Sequence, residues 1–439
     1  GSCNLWCNYA CNSYSKKYNV IMIFHVDANS FYASCEQIYR PDLRNKPVIV
    51  LSNNDGILIA VNKEAKQLGL KRGEPFYKVN AFCEKNNVAV FSSNYTLYAD
   101  ISRRINQIYM EYAPSVEEYS IDESFLFFND FNFSDSDYIS IGFQLKERIL
   151  KEIGVAVCVG IAPTKTLAKL YNKLAKDHNG VFMYNQTEID SILKTLDCNF
   201  IWGIGSQNTK KLNRIGIKTA LQLKNMLPNI AKKLLTIQGY ATVQELNGFP
   251  CINQIIRTKH DSITSSKQFS QKVFDFQILQ AAAVQYTQTA VEKLRLQKSD
   301  AGAITVYVST CNYYSDDESS KYTNCAYVEF SYQTSYTPDI VKYAMIALKK
   351  IFRQGFGYRS VMIILSKLTS TGLQNELWQD GLDAEKKRKF MNHIDDLSKE
   401  YGRNVVSVAR SIQKGEWGMS RTRLSKCYTT RISDIPVVK

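Results

Sequence analysis

Asp27 closes a short apolar run, Ile21 to Val26, and Asp122 and Glu123 stand side by side 95 residues later, within Tyr119-Ser120-Ile121-Asp122-Glu123-Ser124-Phe125. Neighbouring side chains on a regular strand point to opposite faces. Adjacent carboxylates also repel, and burying them is costly unless a turn brings both to one side and a cation neutralises them. Three oxygen donors from two strand ends suit Mg²⁺, which takes few carboxylates and completes its shell with water and phosphate oxygens. Two such ions, about 4 Å apart, would activate a 3′-hydroxyl and stabilise a departing pyrophosphate. The competing reading is a solvated hairpin tip, with Asp27 unrelated to it.

Two basic patterns accompany the acids. Lys165, Lys169, Lys173 and Lys176 recur within one predicted helix. At about 100° per residue they form one stripe, with Leu167, Leu170 and Leu174 on the opposite face. This predicts a helix packed through its leucines, with an outward row of ammonium groups whose repulsion an anionic ligand would relieve. A merely solvated face is the alternative. Lys63 and Lys66 are spaced similarly on a shorter helix. Farther on, Ile201-Trp202-Gly203-Ile204-Gly205 precedes a helix containing Lys210, Lys211 and Arg214, then Gly216-Ile217. Glycines there would let backbone N–H groups approach a phosphate at a helix N-terminus, a grip on a duplex backbone that reads no bases. An ordinary Gly-rich connection between helices has the same look.

The elements that must position these groups are legible from periodicity. Ile21 to Val26, Pro47 to Leu51, Ile57 to Val61, Val116 to Phe128 and Ala156 to Ile161 read as strands, with Asn54-Asp55-Gly56 a hairpin turn. Phe31 to Ile38, Lys63 to Leu68, Asn94 to Tyr112 and Lys165 to Lys176 read as helices between them, an α/β unit ending near residue 185. Short helices punctuated by glycine run from Glu188 to Leu246, and the polar, Ser/Thr-rich Arg257 to Lys267 reads as a linker. A second α/β unit follows, with strands at Ala303 to Thr310, Ala326 to Tyr332 and Val361 to Leu365, and helices at Leu279 to Leu296 and Asp339 to Phe352. The length of 439 residues fits two to four such units at roughly 150 residues each. The composition, 45% hydrophobic and 22% charged, is that of a folded protein and excludes global disorder. No apolar run approaches ~18 residues, so no segment is expected to span a bilayer. The net charge of +14 favours a polyanionic partner, most simply nucleic acid. Eleven scattered cysteines without a Cys-x-x-Cys, and only four His, point to free thiols in a reducing cytoplasm rather than zinc. Residues 1–21 read as an extension or cloning scar, although Cys3, Cys7 and Cys11 are spaced to share a helix face.

Six motifs then occur in a familiar order. His25-Val26-Asp27-Ala28-Asn29-Ser30-Phe31-Tyr32-Ala33-Ser34-Cys35-Glu36, Leu51-Ser52-Asn53-Asn54-Asp55-Gly56, Phe91 to Tyr95, Tyr119 to Phe125, Gly160 to Lys169 and Trp202 to Gly205 resemble those of Y-family DNA polymerases. The Ser-Asn-Asn-Asp-Gly hairpin and the tail Tyr428 to Asp434 resemble the UmuC branch, the catalytic subunits of bacterial DNA polymerase V. The resemblance covers about Met22 to Lys439. It implies an α/β fold with an α+β palm: a right-handed polymerase with palm (22–38 and 92–185), fingers (39–91), a helical thumb with a helix–hairpin–helix (186–256), linker (257–267), α/β little finger (268–370) and C-terminal tail (371–439).

By the same resemblance, Asp27, Asp122 and Glu123 are catalytic and hold two Mg²⁺ ions, with the Ala28 carbonyl as a further ligand. Tyr32 is a steric gate whose ring leaves no room for a 2′-hydroxyl, and Phe31 packs beside the incoming sugar. Lys176 contacts the triphosphate, as do Lys63 and Lys66, which stand where many relatives carry Tyr and Arg. Ile57 and Ile59 roof the nascent base pair, and Gly203, Ile204, Gly205, Lys210 and Lys211 grip the DNA backbone. Gln374-Asn375-Glu376-Leu377-Trp378 resembles the peptide that docks on a sliding clamp, through Gln374, Leu377 and Trp378. Residues 403–439, with eight Lys/Arg against Glu416 and Asp434, would touch DNA or a partner. The implied function is error-prone translesion synthesis from dNTPs on primed DNA in the SOS response, in a bacterial cytoplasm at the nucleoid. The implied helpers are a processed UmuD-like dimer and RecA. No second acidic cluster suited to a proofreading exonuclease stands out. A non-catalytic DNA-binding accessory protein and a nucleotide cyclase using the same metal chemistry are the competing classes.

Overall fold

The apolar run Met22–Ala28 forms strand β1, and its alternation sets the layering around it. The computed structural model describes residues 21–129, 133–254, 259–310, 321–371, 381–401, 406–409 and 420–435. The described residues of Gly1–Leu51, Ile57–Ile256 and Arg423–Lys439 form one compact unit, and those of Ser52–Gly56 and Arg257–Thr422 another.

In the first unit β1 leads to α1 (Phe31–Ile38), β2 (Val48–Leu51), β3 (Leu58–Val61), α2 (Lys63–Gln67), α3 (Phe76–Lys85), β4 (Ala89–Ser92), α4 (Tyr95–Tyr112), β5 (Ser115–Glu118) and β6 (Glu123–Phe128). There follow α5 (Asp135–Ile153), β7 (Val157–Ala162), α6 (Lys165–Ala175), β8 (Val181–Met183) and four helices, α7 (Ile189–Thr195), α8 (Ser206–Arg214), α9 (Ala220–Lys224) and α10 (Pro228–Leu246). β1 is the centre of a sheet ordered β5-β6-β1-β7-β8. Phe24 and Val26, with Leu126 and Phe128 of β6, face a core shared with α1, α4 and α5. Ile23, with Phe125 and Phe127, faces the opposite core, shared with α6 and the four later helices. Period two therefore sends Asp27 of β1 and Glu123 of β6 toward α6. A second sheet, β3-β2-β4, carries α2 and α3. Its β2–β3 hairpin sets Ile49 opposite Val61, and Asn54 and Asp55 turn the chain with positive φ, as the turn signal predicts.

Helix α6 is held at both ends of its first two turns. Thr164 caps it by accepting from the Leu167 N–H. The Glu245 carboxylate of α10 accepts from the Thr166 N–H at 2.8 Å and its hydroxyl at 2.7 Å, and its other oxygen accepts from the Ile252 N–H at 2.9 Å. Farther along, Asn172 donates to the carbonyls of His25 at 2.9 Å and Cys158 at 2.6 Å. Gly160 of β7 makes this approach possible: a Cβ there would lie 2.1 Å from the Asn172 nitrogen and 2.2 Å from the Ala168 oxygen. Only glycine permits the helix to lie that close to the sheet.

The second unit contains β9 (Ile263–Val273), α11 (Phe276–Leu296), β10 (Ser299–Ser309), β11 (Thr323–Thr334), α12 (Thr337–Ile351), β12 (Tyr358–Ser366), β13 (Thr369–Ser370) and α13 (Gly381–Tyr401). Its sheet is ordered β11-β10-β12-β9, and α11 and α12 share its core. The predicted linker is corrected here. Residues 263–267 begin β9, which pairs with β12, and their Ser/Thr content reflects a strand with one solvated face. Among the described residues no helix is long and apolar enough to cross a membrane. The cysteines described are free thiols.

Glu245 is buried and its carboxylate gathers hydrogen bonds from three residues. Glu245→Ala would strand those donors, and we expect it to destabilise the first unit by roughly 3 kcal/mol or more, read as a lowered midpoint in chemical denaturation.

Candidate active site

Strand register brings the predicted acids together. Asp27 is the direct partner of Glu123 across the antiparallel β1–β6 pair. The Ala28 N–H donates to the Asp122 carbonyl at 2.9 Å, so the bend before β6 is fastened to the end of β1. Ser120 donates from its hydroxyl to Asp122 at 2.6 Å, which orients that carboxylate. Burial, reinforced by the charges of Glu123 and Asp122, pushes the Asp27 carboxyl up to about 6 against the pull of Lys176. Burial, with Tyr95 and the charge of Asp122, likewise pushes the Tyr32 phenol up.

Ammonium groups accompany these carboxylates. Lys169 Nζ lies 2.9 Å from Glu123 Oε2 and Lys176 Nζ 3.6 Å from Asp27 Oδ2. Lys169 also rests against the rings of Tyr119, Trp202 and Phe125, with centroids 4.3, 5.0 and 5.9 Å away. The outward lysine row predicted for this helix is therefore corrected. Lys165 is 1% exposed and paired with Glu117 at 2.7 Å, and Lys169 is buried, so this half of the row is packed inward, while Lys173, which donates to the Phe200 carbonyl, is exposed. Lys176, just past its end, is half exposed.

Tyr32, the residue expected to act as the gate, lies on α1 and packs against α4. Ser30, with φ 47°, starts α1 in a left-handed conformation and donates from its hydroxyl to the Val61 carbonyl. Tyr32 stacks on Tyr98 at 4.5 Å and 17°, and meets Tyr95 edge-on at 5.9 Å. Phe31, expected beside the incoming sugar, is 3% exposed and belongs to the core, so its side chain has almost no free surface to offer a sugar. Ile57 and Ile59 are partly buried on β3 and its approach, and Lys63 and Lys66 are exposed on α2. In the glycine motif, Gly203 takes φ +85° and Gly205 caps α8, with Lys210 and Lys211 exposed. Ile204 is corrected: its side chain is core and its N–H already donates to the Ile201 carbonyl at 3.1 Å, so it has no donor to spare for a phosphate. Gln374, Leu377 and Trp378 lie outside the described residues, as do Cys3, Cys7 and Cys11.

The donor set suits a hard divalent cation. It offers carboxylate oxygens from a strand end and a bend, and an Asp27 carboxyl under pressure from two neighbouring acids. Among the described residues no three His, Cys, Asp or Glu side chains have closed to ligand distance, and lysines supply the counter-charge.

Comparison with known proteins identifies the family and the fold. The family model for the impB/mucB/samB family matches residues 26–173, its C-terminal domain matches 260–377, and a domain of unknown function matches 388–438. Protein ImpB of Salmonella typhimurium is 37% identical over 94% of this chain and 98% of its own length. The chain belongs to the impB/mucB/samB family. Protein UmuC of Salmonella typhimurium is also 37% identical, over 94% of this chain and 99% of its length, and DNA polymerase IV of Oceanobacillus iheyensis is 27% identical over 89% and 92%. A solved Y-family DNA polymerase chimera, 22% identical, covers 80% of this chain and 99% of its own with a TM-score of 0.64, and the fold is that of the Y family.

Sequence reasoning gave no role to Glu36, the hydrogen-bond partner of the Tyr98 that stacks on Tyr32. Glu36 is wholly buried on α1, accepts from the Tyr98 hydroxyl at 2.6 Å, and burial pushes its carboxyl from 4.5 up to about 7. Its place at the end of the Asp27–Glu36 motif was the available signal. Below pH ~4.5 the acid is protonated both folded and unfolded. Between there and about 7 the unfolded chain ionises while the folded one keeps its proton, so stability falls as pH rises, by on the order of 3 kcal/mol in all. Glu36→Gln should flatten that slope and exceed the wild type in stability at pH 8, which denaturant melts at pH 5 and 8 would measure.

Proposed function

We propose that the acid cluster at the ends of β1 and β6 is the catalytic centre of an error-prone translesion DNA polymerase, with Asp27, Asp122 and Glu123 as its catalytic carboxylates. The chain is a DNA-directed DNA polymerase of the Y family. The observation that carries the site assignment is the Asp27–Glu123 register, with Asp122 fastened beside Ala28.

In this reading the three carboxylates and the Ala28 carbonyl would hold two Mg²⁺ ions, which when bound supply Lewis-acid activation of the primer hydroxyl and charge neutralisation at the leaving pyrophosphate. The primer 3′-oxygen forms a bond to the α-phosphorus of a dNTP as the bond to pyrophosphate breaks. Lys169, held in its aromatic frame, keeps Glu123 turned toward the cleft, and Lys176 is free to turn from Asp27 to a triphosphate oxygen. Lys63 and Lys66 meet the same phosphates from α2. The Tyr32 ring occupies the place a 2′-hydroxyl would need, and Ile57 and Ile59 cover the base pair. Gly203, Gly205, Lys210 and Lys211 hold the duplex backbone, which sets register without reading sequence.

The domains follow: palm at 22–38 and 92–185, fingers at 39–91, thumb at 186–256, little finger from Ile263 to 370, and a tail beyond. Gln374, Leu377 and Trp378 are proposed to dock a sliding clamp. A processed UmuD-like dimer and RecA are the proposed activators, and the bacterial nucleoid is the place of work; resemblance to the UmuC branch supports all three. Asp122→Ala with Glu123→Ala should abolish primer extension on a primed template while binding to that template stays within about threefold, as expected of groups that act in the transition state. Extension surviving in the double variant would reject the assignment. Tyr32→Ala should raise ribonucleotide insertion, and unchanged sugar discrimination would remove Tyr32 from the gate.

A further inference from the structure

The domain of unknown function ends in a strap laid across the first unit. Leu424 bridges to Ser92 of β4 in parallel register. Around it the Ser92 N–H donates to the Arg423 carbonyl at 2.9 Å and the Arg423 N–H to the Ser92 hydroxyl at 3.0 Å. Asn94, which caps α4, donates to the Ser425 hydroxyl at 3.0 Å. Tyr428 stacks on Tyr39, at the end of α1, at 4.7 Å and 18°. The Cys427 N–H donates to Asp434 at 2.9 Å, so the strap is folded on itself where it lands.

One thread leads from this strap to the sugar gate. The Ser425 hydroxyl donates to Glu36 Oε1 at 3.2 Å, and the Tyr98 hydroxyl donates to that same oxygen at 2.6 Å. Tyr98, fully buried, stacks on Tyr32. Stacking alone lets one ring slide over another, because its energy changes slowly with offset. Fixing the Tyr98 hydroxyl removes that freedom, and the Glu36 carboxyl that fixes it is itself aimed by Ser425.

We propose that the C-terminal strap is a positioning element for sugar selection, holding the Tyr32 ring in place through Ser425, Glu36 and Tyr98. The proposal rests on the reading of Tyr32 as the gate. A wall excludes a 2′-hydroxyl only if it does not yield, and a site held about 1 Å too loosely loses its selectivity. A deoxynucleotide does not press on that wall, so its insertion is insensitive to the wall's stiffness. The signature is thus a change in the ratio of two substrates rather than in overall activity.

The test is single-nucleotide insertion by the full chain, under conditions in which the wild type extends a primer, comparing each dNTP with its ribonucleotide. Ser425→Ala and Tyr98→Phe should each raise kcat/KM for the ribonucleotide roughly fivefold to tenfold while kcat/KM for the dNTP stays within about twofold. Ser425→Thr, which keeps the hydroxyl, should restore the wild-type ratio. Tyr32→Ala is run alongside. If Tyr32→Ala collapses discrimination but Ser425→Ala and Tyr98→Phe leave it intact, or depress both substrates alike, the strap proposal is overturned and the gate stands. If Tyr32→Ala leaves discrimination unchanged, the gate reading fails and the strap proposal with it.

Discussion

Like charges drawn together out of water repel, and much of the first unit answers that repulsion. The register of β1 against β6 forces Asp27 and Glu123 to face one another, and the Asp122 bend is fastened beside them. Such a cluster survives only with compensating charge and with neighbours that cannot move away. Lys169 and Lys176 supply the charge. Gly160, Asn172 and Glu245 supply the immobility by pinning α6 to the sheet and to α10. The result is a cluster of carboxylates and ammonium groups held by contacts that reach well beyond its own residues.

The lysines of α6 are a lesson in what periodicity leaves out. A single stripe of ammonium groups looks like a solvated face, because surface helices usually present their charges that way. Here the stripe is shared among an acid on β5, an acid on β6 and a frame of aromatic rings, and two of the four lysines are buried. Partners drawn from β5, β6 and α8's approach lie far away along the chain, so nothing within the helix announces them.

Where the sequence was sufficient, the information was local. Asn54 and Asp55 mark a hairpin because few other residues accept positive φ, and the hairpin is there. The apolar strands and the Asp27–Glu123 meeting follow from alternation and from the order of six motifs. What escaped was decided by tertiary context. Phe31 and Ile204 lie inside their motifs yet belong to cores, since a motif fixes residue identity and not which face is buried. The polar start of β9 passed for a linker because a strand with one wet face has little apolar signal. Glu36 passed unnoticed because a lone buried acid has meaning only once Tyr98 and Ser425 are seen around it.

The contact between Ser425 and Glu36 spans 389 positions of the chain. During translation, every acid of the cleft has therefore left the ribosome long before the strap has been made. A nonsense or frameshift lesion late in the reading frame would release a polypeptide whose chemistry is whole but whose first helix lacks its brace. On the proposal that the strap holds the Tyr32 ring, such a product would tell sugars apart less accurately than its parent.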